Sequence, residues 1–230
     1  PVSGETFPVG TTTVTFQVED ASGNKATCSF DVTVKDNEAP EITSVANITQ
    51  NVDVDSCSAT VEYNLPTATD NCEGVTVTLT EGLASGETFP LGVTTVTYTA
   101  TDASGNKVTT TFTVTVVDNI APEITSVSNV TQNVDVDSCS ATVEYELPTA
   151  TDNCEGVTVA LTEGLASGSE FPLGETTVTY TATDASENTV ATTFTVTVVD
   201  NIAPEISCTN DIFDTVGENG TTAVVTYDAP

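Results

Sequence analysis

Apolar and polar residues alternate along most of this chain, with a period of two. Val108, Thr110, Phe112, Val114 and Val116 share one face of a run, while Thr109, Thr111, Thr113 and Thr115 share the other. The same holds for Val96, Tyr98 and Ala100 against Thr97, Thr99 and Thr101, for Cys57, Ala59, Val61 and Tyr63, and for Val75, Val77 and Leu79. This period, with β-branched threonines facing outward, predicts strands rather than helices. The threonine faces also offer a platform for O-linked sugar. Breaks fall at Asn37 to Pro40, Pro66, Gly74, Gly82 to Gly86, Pro90 to Gly92 and Asp102 to Asn106. They divide the stretch into runs A (41–53), B (57–64), C (66–71), D (75–80), E (87–89), F (93–100) and G (107–117), read as antiparallel in up-and-down order. Seven short strands predict an all-β, immunoglobulin-like β-sandwich.

The pattern then recurs. Ser3-Gly4-Glu5-Thr6-Phe7-Pro8 returns 82 residues later as Ser85-Gly86-Glu87-Thr88-Phe89-Pro90, and again, altered, as Ser167-Gly168-Ser169-Glu170-Phe171-Pro172. Residues 36–117 and 118–199 are complete copies that differ at eleven positions. Residues 1–35 match the last part of a copy and 200–230 the first part, so the expected organisation is a window on a longer tandem array.

Cysteine usage sharpens the picture. In the up-and-down order the start of B and the C–D loop lie at one end, which predicts bridges Cys57–Cys72 and Cys139–Cys154. Cys28 and Cys208 stand where the complete copies have Thr110 and Thr192, and Ser44 and Ser126. Their joint loss there is what a disulfide pair would show, so both are expected to find partners outside the window. A head-to-tail filament of copies, joined Cys28 to Cys208, is the other possibility. The chain has no histidine and no C-x-x-C spacing, so zinc is a poor alternative. Disulfides imply an oxidising, extracellular or cell-surface setting.

Several runs together resemble the hyalin repeat (HYR) family: Phe89-Pro90-Leu91-Gly92, Thr95 to Asn106 (TVTYTATDASGN), Cys57-Ser58-Ala59, Ala68-Thr69-Asp70-Asn71-Cys72, and Ala21 to Phe30 (ASGNKATCSF). The resemblance implies an immunoglobulin-like module found in tandem in secreted and cell-surface proteins, associated with adhesion and extracellular matrix, and without catalytic residues.

Charge limits what such an array can do. Lys25, Lys35 and Lys107 are the only basic residues against 34 Asp and Glu, for a net charge of −31. Nucleic acid and anionic membrane surfaces are therefore excluded as partners, and no long apolar segment supports membrane insertion. Without histidine there is no Ser-His or Cys-His nucleophile, and the chain is not expected to be an enzyme. Carboxylates gathered where copies meet suit Ca²⁺. The expected junction sets Asp53, Asp55, Asp70, Asn71 and Glu73 of one copy against Asp118, Asn119, Glu123, Asp184 and Asn188 of the next, a layout similar to cadherin arrays. Asp102 and Asn106 also close a hairpin through Asx-type bonds. Asn47, Asn129 and Asn219 begin glycosylation sequons, so glycans are candidate partners. The function expected is that of a structural and adhesive segment, a stiff acidic rod or fibre whose partners are neighbouring repeats. The alternative is a ligand- or carbohydrate-binding accessory module; the absence of Trp and the inward placement of Tyr63 and Tyr98 favour the structural reading.

Overall fold

The computed structural model describes residues 3–208 and 210–227, so the extreme ends of the two partial copies, at 1–2 and 228–230, lie outside it. The chain divides into two compact units, Pro1–Glu123 with Ala150–Thr158 and Ala182–Val190, and Ile124–Thr149 with Val159–Thr181 and Ala191–Pro230. The alternating runs form strands, as their pattern predicts. The partial copy at the start is a hairpin of β1 (Gly10–Glu19) and β2 (Lys25–Val34). The first complete copy carries β3 (Glu41–Ile42), β4 (Ile48–Asn51), β5 (Ser58–Thr60), β6 (Ala68–Thr69), β7 (Thr76–Glu81), β8 (Thr88–Pro90), β9 (Gly92–Thr101) and β10 (Lys107–Val117). The second carries β11 (Glu123–Ile124), β12 (Val130–Asn133), β13 (Ser140–Val143), β14 (Ala150–Thr151), β15 (Thr158–Glu163), β16 (Ser169–Pro172), β17 (Gly174–Thr183) and β18 (Thr189–Val199).

In the first complete copy one layer is the sheet β4-β10-β9-β7 and the other is made of the pairs β3-β6 and β5-β8. The second copy has the corresponding sheet β12-β18-β17-β15. β4 on β10 and β12 on β18 are parallel, whereas β1-β2, β9-β10, β7-β9, β3-β6, β5-β8 and β13-β16 are antiparallel. The fold is thus an all-β, immunoglobulin-like sandwich.

The order of strands corrects the up-and-down reading at two places. Residues 61–67 contain no turn or bend. They carry the chain onward from β5 to β6, so the runs expected as B and C are one pass. Pro66 is buried in that pass, where proline's fixed φ and missing N–H suit an extended segment outside a ladder. The neighbouring Thr67 donates its N–H to Thr43 Oγ1, and Thr43 N–H bonds Thr67 O, at 2.9 Å each. The runs expected as D and E are likewise one pass that changes sheets, from β7 beside β9 to β8 beside β5. Gly82 makes the change possible. Its φ is +85°, and a Cβ there would collide with the Thr95 carbonyl oxygen and approach Val96 Cα to 3.0 Å. The two corrections cancel for β9 and β10 but not for the loop between β6 and β7. That loop moves to the opposite end of the sandwich, and the cysteine pairing moves with it.

The inward faces build the core expected. Phe89, Val96, Ala100, Val114 and Val61 are fully buried, and Phe112 is 2% exposed. Tyr63 packs edge-on against Phe112, with ring centroids 5.0 Å apart, and donates its hydroxyl proton to Leu83 O at 2.6 Å. Ser85 Oγ accepts from Tyr63 N–H and donates to Tyr63 O, which satisfies the backbone where β5 leaves its partner. Tyr145, Phe194 and Ser167 repeat this arrangement in the second core.

In the partial copy at the start Cys28 is exposed, as are Phe16 and Phe30. Phe16 lies opposite Cys28 in the β1-β2 register, and the pair β1-β2 forms a sheet with no other strand. No strand forms among the described residues from 200 onward, where runs A and B were expected. The equivalents β3, β4 and β5 depend on β6, β10 and β8, all of which follow them in sequence.

Candidate functional site

Aspartates at both copies' linkers and β6–β7-type loops are each held by an Asx turn through a single oxygen. Asp118 Oδ1 accepts Ile120 N–H at 3.1 Å, and Asp152 Oδ2 accepts Cys154 N–H at 3.0 Å. Asp36 Oδ1 and Asp70 Oδ2 do the same with Glu38 and Cys72. The second oxygen of each, Asp118 Oδ2, Asp152 Oδ1, Asp36 Oδ2 and Asp70 Oδ1, is buried and receives no N–H or O–H. Asn153 Oδ1 is the fifth such atom among the described residues. Burial of a polar atom without a partner is costly, so five in these two clusters call for a counterpart.

One carboxylate oxygen each of Asp118 and Asp152 lies within 4.8 Å of the other and of Cys154 Sγ, and one each of Asp36 and Asp70 stands in the same relation to Cys72 Sγ. Asp118 is only 4% exposed, and Cys154 is buried too. The hairpin after β17 fastens the linker from behind: Asn188 donates Nδ2–H to Asp184 Oδ2 at 2.8 Å and to Asp118 O at 3.2 Å. Asn106 makes the matching bonds to Asp102 Oδ2 and Asp36 O. Asp102 itself is buried, which raises its pKa, but bonds from Asn106, Gly105 and Ser104 outweigh burial and hold it below the usual carboxylate range. A carboxylate depressed in the folded state contributes stability above its unfolded pKa and loses it as pH falls through the folded value. Asp102→Asn is therefore expected to flatten the fall in melting temperature below about pH 4; a variant with the parent's acid profile would contradict this.

The disulfide corrects the expected pairing. Cys57 is bonded to Cys154, with Cα atoms 4.9 Å apart and a sequence separation of 97, while Cys72 and Cys139 are thiols. Cys72 cannot reach Cys57 because the β6–β7 loop sits at the opposite end of its sandwich. Cys72 lies instead against Asp36, which, followed by burial and the charges of Asp36, Asp70 and Asp102, pushes its thiol up. Cys57 projects from a tight loop in which Asp53 bonds Thr60 N–H through Oδ2 and Asp55 takes a φ of 60°. Asn153 then donates Nδ2–H to Ser56 O at 2.9 Å, beside the bridge. A cavity of about 400 Å³ opens here, lined among others by Asp55, Glu123, Asp152 and Asn153.

The expected cation set is thereby rearranged. Asp118 remains in it, and Asp70 belongs to a different cluster, with Asp36. Asp53 is consumed by its own loop, Glu73 and Asn119 are exposed, and Asp184 and Asn188 hold the linker instead of pointing into the cluster. The free thiols Cys28 and Cys208 are both exposed. Asp36, Asp152 and Asn153 were missed, although Asp152 could have been found as the repeat equivalent of Asp70. Asn47 and Asn129 turn their Oδ1 atoms to the backbone N–H of Thr113 and Thr195.

The HYR domain model matches residues 1–34, 35–116 and 117–198. The chain belongs to the HYR domain family. Hyalin of Strongylocentrotus purpuratus is 39% identical over 99% of this chain, which spans 19% of that relative's length. Hyalin of Lytechinus variegatus is also 39% identical over 99% of the chain, which spans 44% of that relative. The "Serine-rich adhesin for platelets" of Staphylococcus aureus (strain MRSA252) is 34% identical over 57% of the chain and 10% of its own length. Among solved structures, extracellular cadherin domains 1–5 of protocadherin gamma B2 align with a TM-score of 0.34 at 17% identity, covering 86% of this chain and 47% of that one. An HYR chain with an intact disulfide belongs to the oxidising space outside the cytosol, at the cell surface or beyond it. No helix among the described residues is long and apolar enough to cross a membrane.

Proposed function

We propose that this chain is a segment of an extracellular adhesive array, a stiff acidic rod in which each HYR repeat holds a calcium ion at the end where its linker, its β6–β7-type loop and its long hairpin meet. One observation carries the reading. Every buried, unpartnered side-chain oxygen among the described residues is on an aspartate of the Asp118–Asp152 or the Asp36–Asp70 cluster or on Asn153, the residue after Asp152. Hard oxygen donors suit Ca²⁺, and three lysines cannot neutralise a chain of net charge −31. The one ion pair among the described residues, Lys25 with Glu19, lies in the β1-β2 hairpin, away from both clusters in sequence. Neighbouring repeats are the first partners of such an array, and glycans on Asn47, Asn129 or Asn219 would decorate it.

Titrating the chain with Ca²⁺ in a calorimeter is expected to show two sites, and Ca²⁺ at a hundredfold excess over its Kd to raise stability by about 2.7 kcal/mol. Small-angle scattering is expected to show a larger radius of gyration with Ca²⁺ than with a chelator. Asp118→Asn with Asp152→Asn should remove one site. No heat, and a melting temperature indifferent to chelator, would refute the calcium reading.

A further inference from the structure

Each complete copy leaves a slot in its second layer, between the segment joining β3 to β4 and the straight pass at 61–67, and between their counterparts at 125–129 and 143–149. We infer that this slot is a docking site for an extended, basic segment of a partner protein, which adds to the pass as a further strand. The inference names a partner for the adhesive reading and rests on it, whereas the calcium clusters play no part.

The slot follows from the course of the first strand run. β3 pairs with β6 and Thr43 still bonds Thr67, but from Ser44 onward the chain crosses to the other sheet, where β4 pairs with β10. The pass left behind keeps backbone partners on one side: Val61 bonds Glu87 and Gly86, and Tyr63 bonds Ser85. Backbone groups of successive residues in an extended chain point to opposite edges, so those of Glu62 and Asn64 belong to the other side. Among the described residues no hydrogen bond reaches them, nor the backbone of Ser44 or Val45 across the slot, and the same is true of Glu144, Glu146, Ser126 and Val127. Such a row of unused N–H and C=O groups is a template for another strand. The first slot has a volume of about 390 Å³, a floor of Val45, Ile48 and Tyr63 packed on the core, and Leu65, 60% exposed, at its rim. In the second copy the volume is about 570 Å³ and Leu147, 62% exposed, holds the rim. Both volumes are those of ligand sites, and each slot is built within one copy and one compact unit.

Charge selects the occupant. Glu62 is exposed on the first pass, and Glu144 and Glu146 on the second, while the three lysines, at 25, 35 and 107, lie outside both slots. Carboxylates along an open edge, with a proline in it, oppose pairing with a second copy of so acidic a chain. The same carboxylates attract a cationic strand. A sugar would need an open aromatic face, and Tyr145 is only 9% exposed. A segment that alternates apolar with basic residues fits on every count. Its main chain bonds the pass, its apolar side chains cover the floor beside Leu65 or Leu147, and its cations stand over the glutamates.

The test uses the whole chain and, as probe, a short capped peptide that alternates lysine with valine. Calorimetry is expected to show one peptide bound per complete copy, in Ca²⁺ and in chelator alike. A peptide of the same composition with its lysines and valines in two blocks should bind about tenfold more weakly or worse. Leu65→Ser and Leu147→Ser leave the charge unchanged and touch only exposed side chains; each should weaken one site about tenfold, the scale of one buried leucine contact. Amide spectra should show the N–H groups of Glu62, Asn64, Glu144 and Glu146 shifted and slowed in exchange. Equal binding of the two peptides, or full affinity in both serine variants, would reduce the attraction to charge alone and overturn the docking site, as would no binding at all. Because the heat of Ca²⁺ binding is read on the same chain without peptide, loss of the docking site leaves the calcium reading standing, and failure of the calcium reading leaves the slot to be judged by the peptides.

Discussion

Reducing the Cys57–Cys154 bridge in the presence of chelator is expected to destabilise the first compact unit by about 4.7 kcal/mol, the chain-entropy figure for a closed loop of about 100 residues. The separation here is 97, and both cysteines belong to that unit. A bridge between Cys57 and Cys72 would have closed a loop of about 15 residues and contributed about 3 kcal/mol on the same reckoning. The two pairings thus differ in size of effect as well as in connectivity. Thermal unfolding of the parent chain with and without reductant, together with Cys57→Ser, measures the first. Non-reducing peptide mapping reads the second directly, and a Cys57–Cys72 peptide, or a melting curve unmoved by reductant, would refute the bridge described here.

Phe112→Ala is expected to cost about 3–5 kcal/mol, the range for removing a buried aromatic ring. Phe112 is 2% exposed and its ring meets the edge of Tyr63, which in turn bonds Leu83 O and contacts Tyr98 through its hydroxyl at 3.1 Å. The substitution therefore leaves a cavity and loosens a tyrosine whose hydroxyl is already spoken for. Phe194→Ala should act alike on the second core, where Phe194 meets Tyr145 at 4.9 Å. Denaturant unfolding measures both, and a loss below about 1 kcal/mol, the scale of an ordinary point mutation, would show that these rings are not central to their cores.

How much of this was legible depended on which physical signal carried it. Period-two alternation is dictated by the geometry of a strand, so Val96, Tyr98, Phe112 and Val114 could be placed inward from the sequence alone. Whether a run ends or merely leaves its ladder is a different matter. Pro66 and the glycines around Gly82 read as turns, because proline and glycine punctuate chains more often than not. Here Pro66 sits in a straight pass and Gly82 in a change of sheet, and only contacts distant in sequence reveal this: Thr43 with Thr67, and Thr95 behind Gly82. A single inverted loop was enough to exchange the partner of Cys57 and to bring Asp152 beside Asp118. Acidic residues at a junction were foreseeable from composition. Which oxygen of each remains free was not, because that depends on the Asx turns that consume the other.

The parallel pairing of β4 with β10 bears on how a repeat carries load. The four rungs from Ile48 opposite Val114 to Asn51 opposite Val117 join a strand near the start of the repeat to the strand that ends it, and Val130–Asn133 on Val196–Val199 does the same in the second copy. When the ends of such a repeat are drawn apart, the two strands slide along each other's length in opposite senses. Their hydrogen bonds are then strained together in shear, where a hairpin such as β1-β2, pulled at its open end, would unzip one rung at a time. A module joined this way yields abruptly and at higher force than one held only by hairpins.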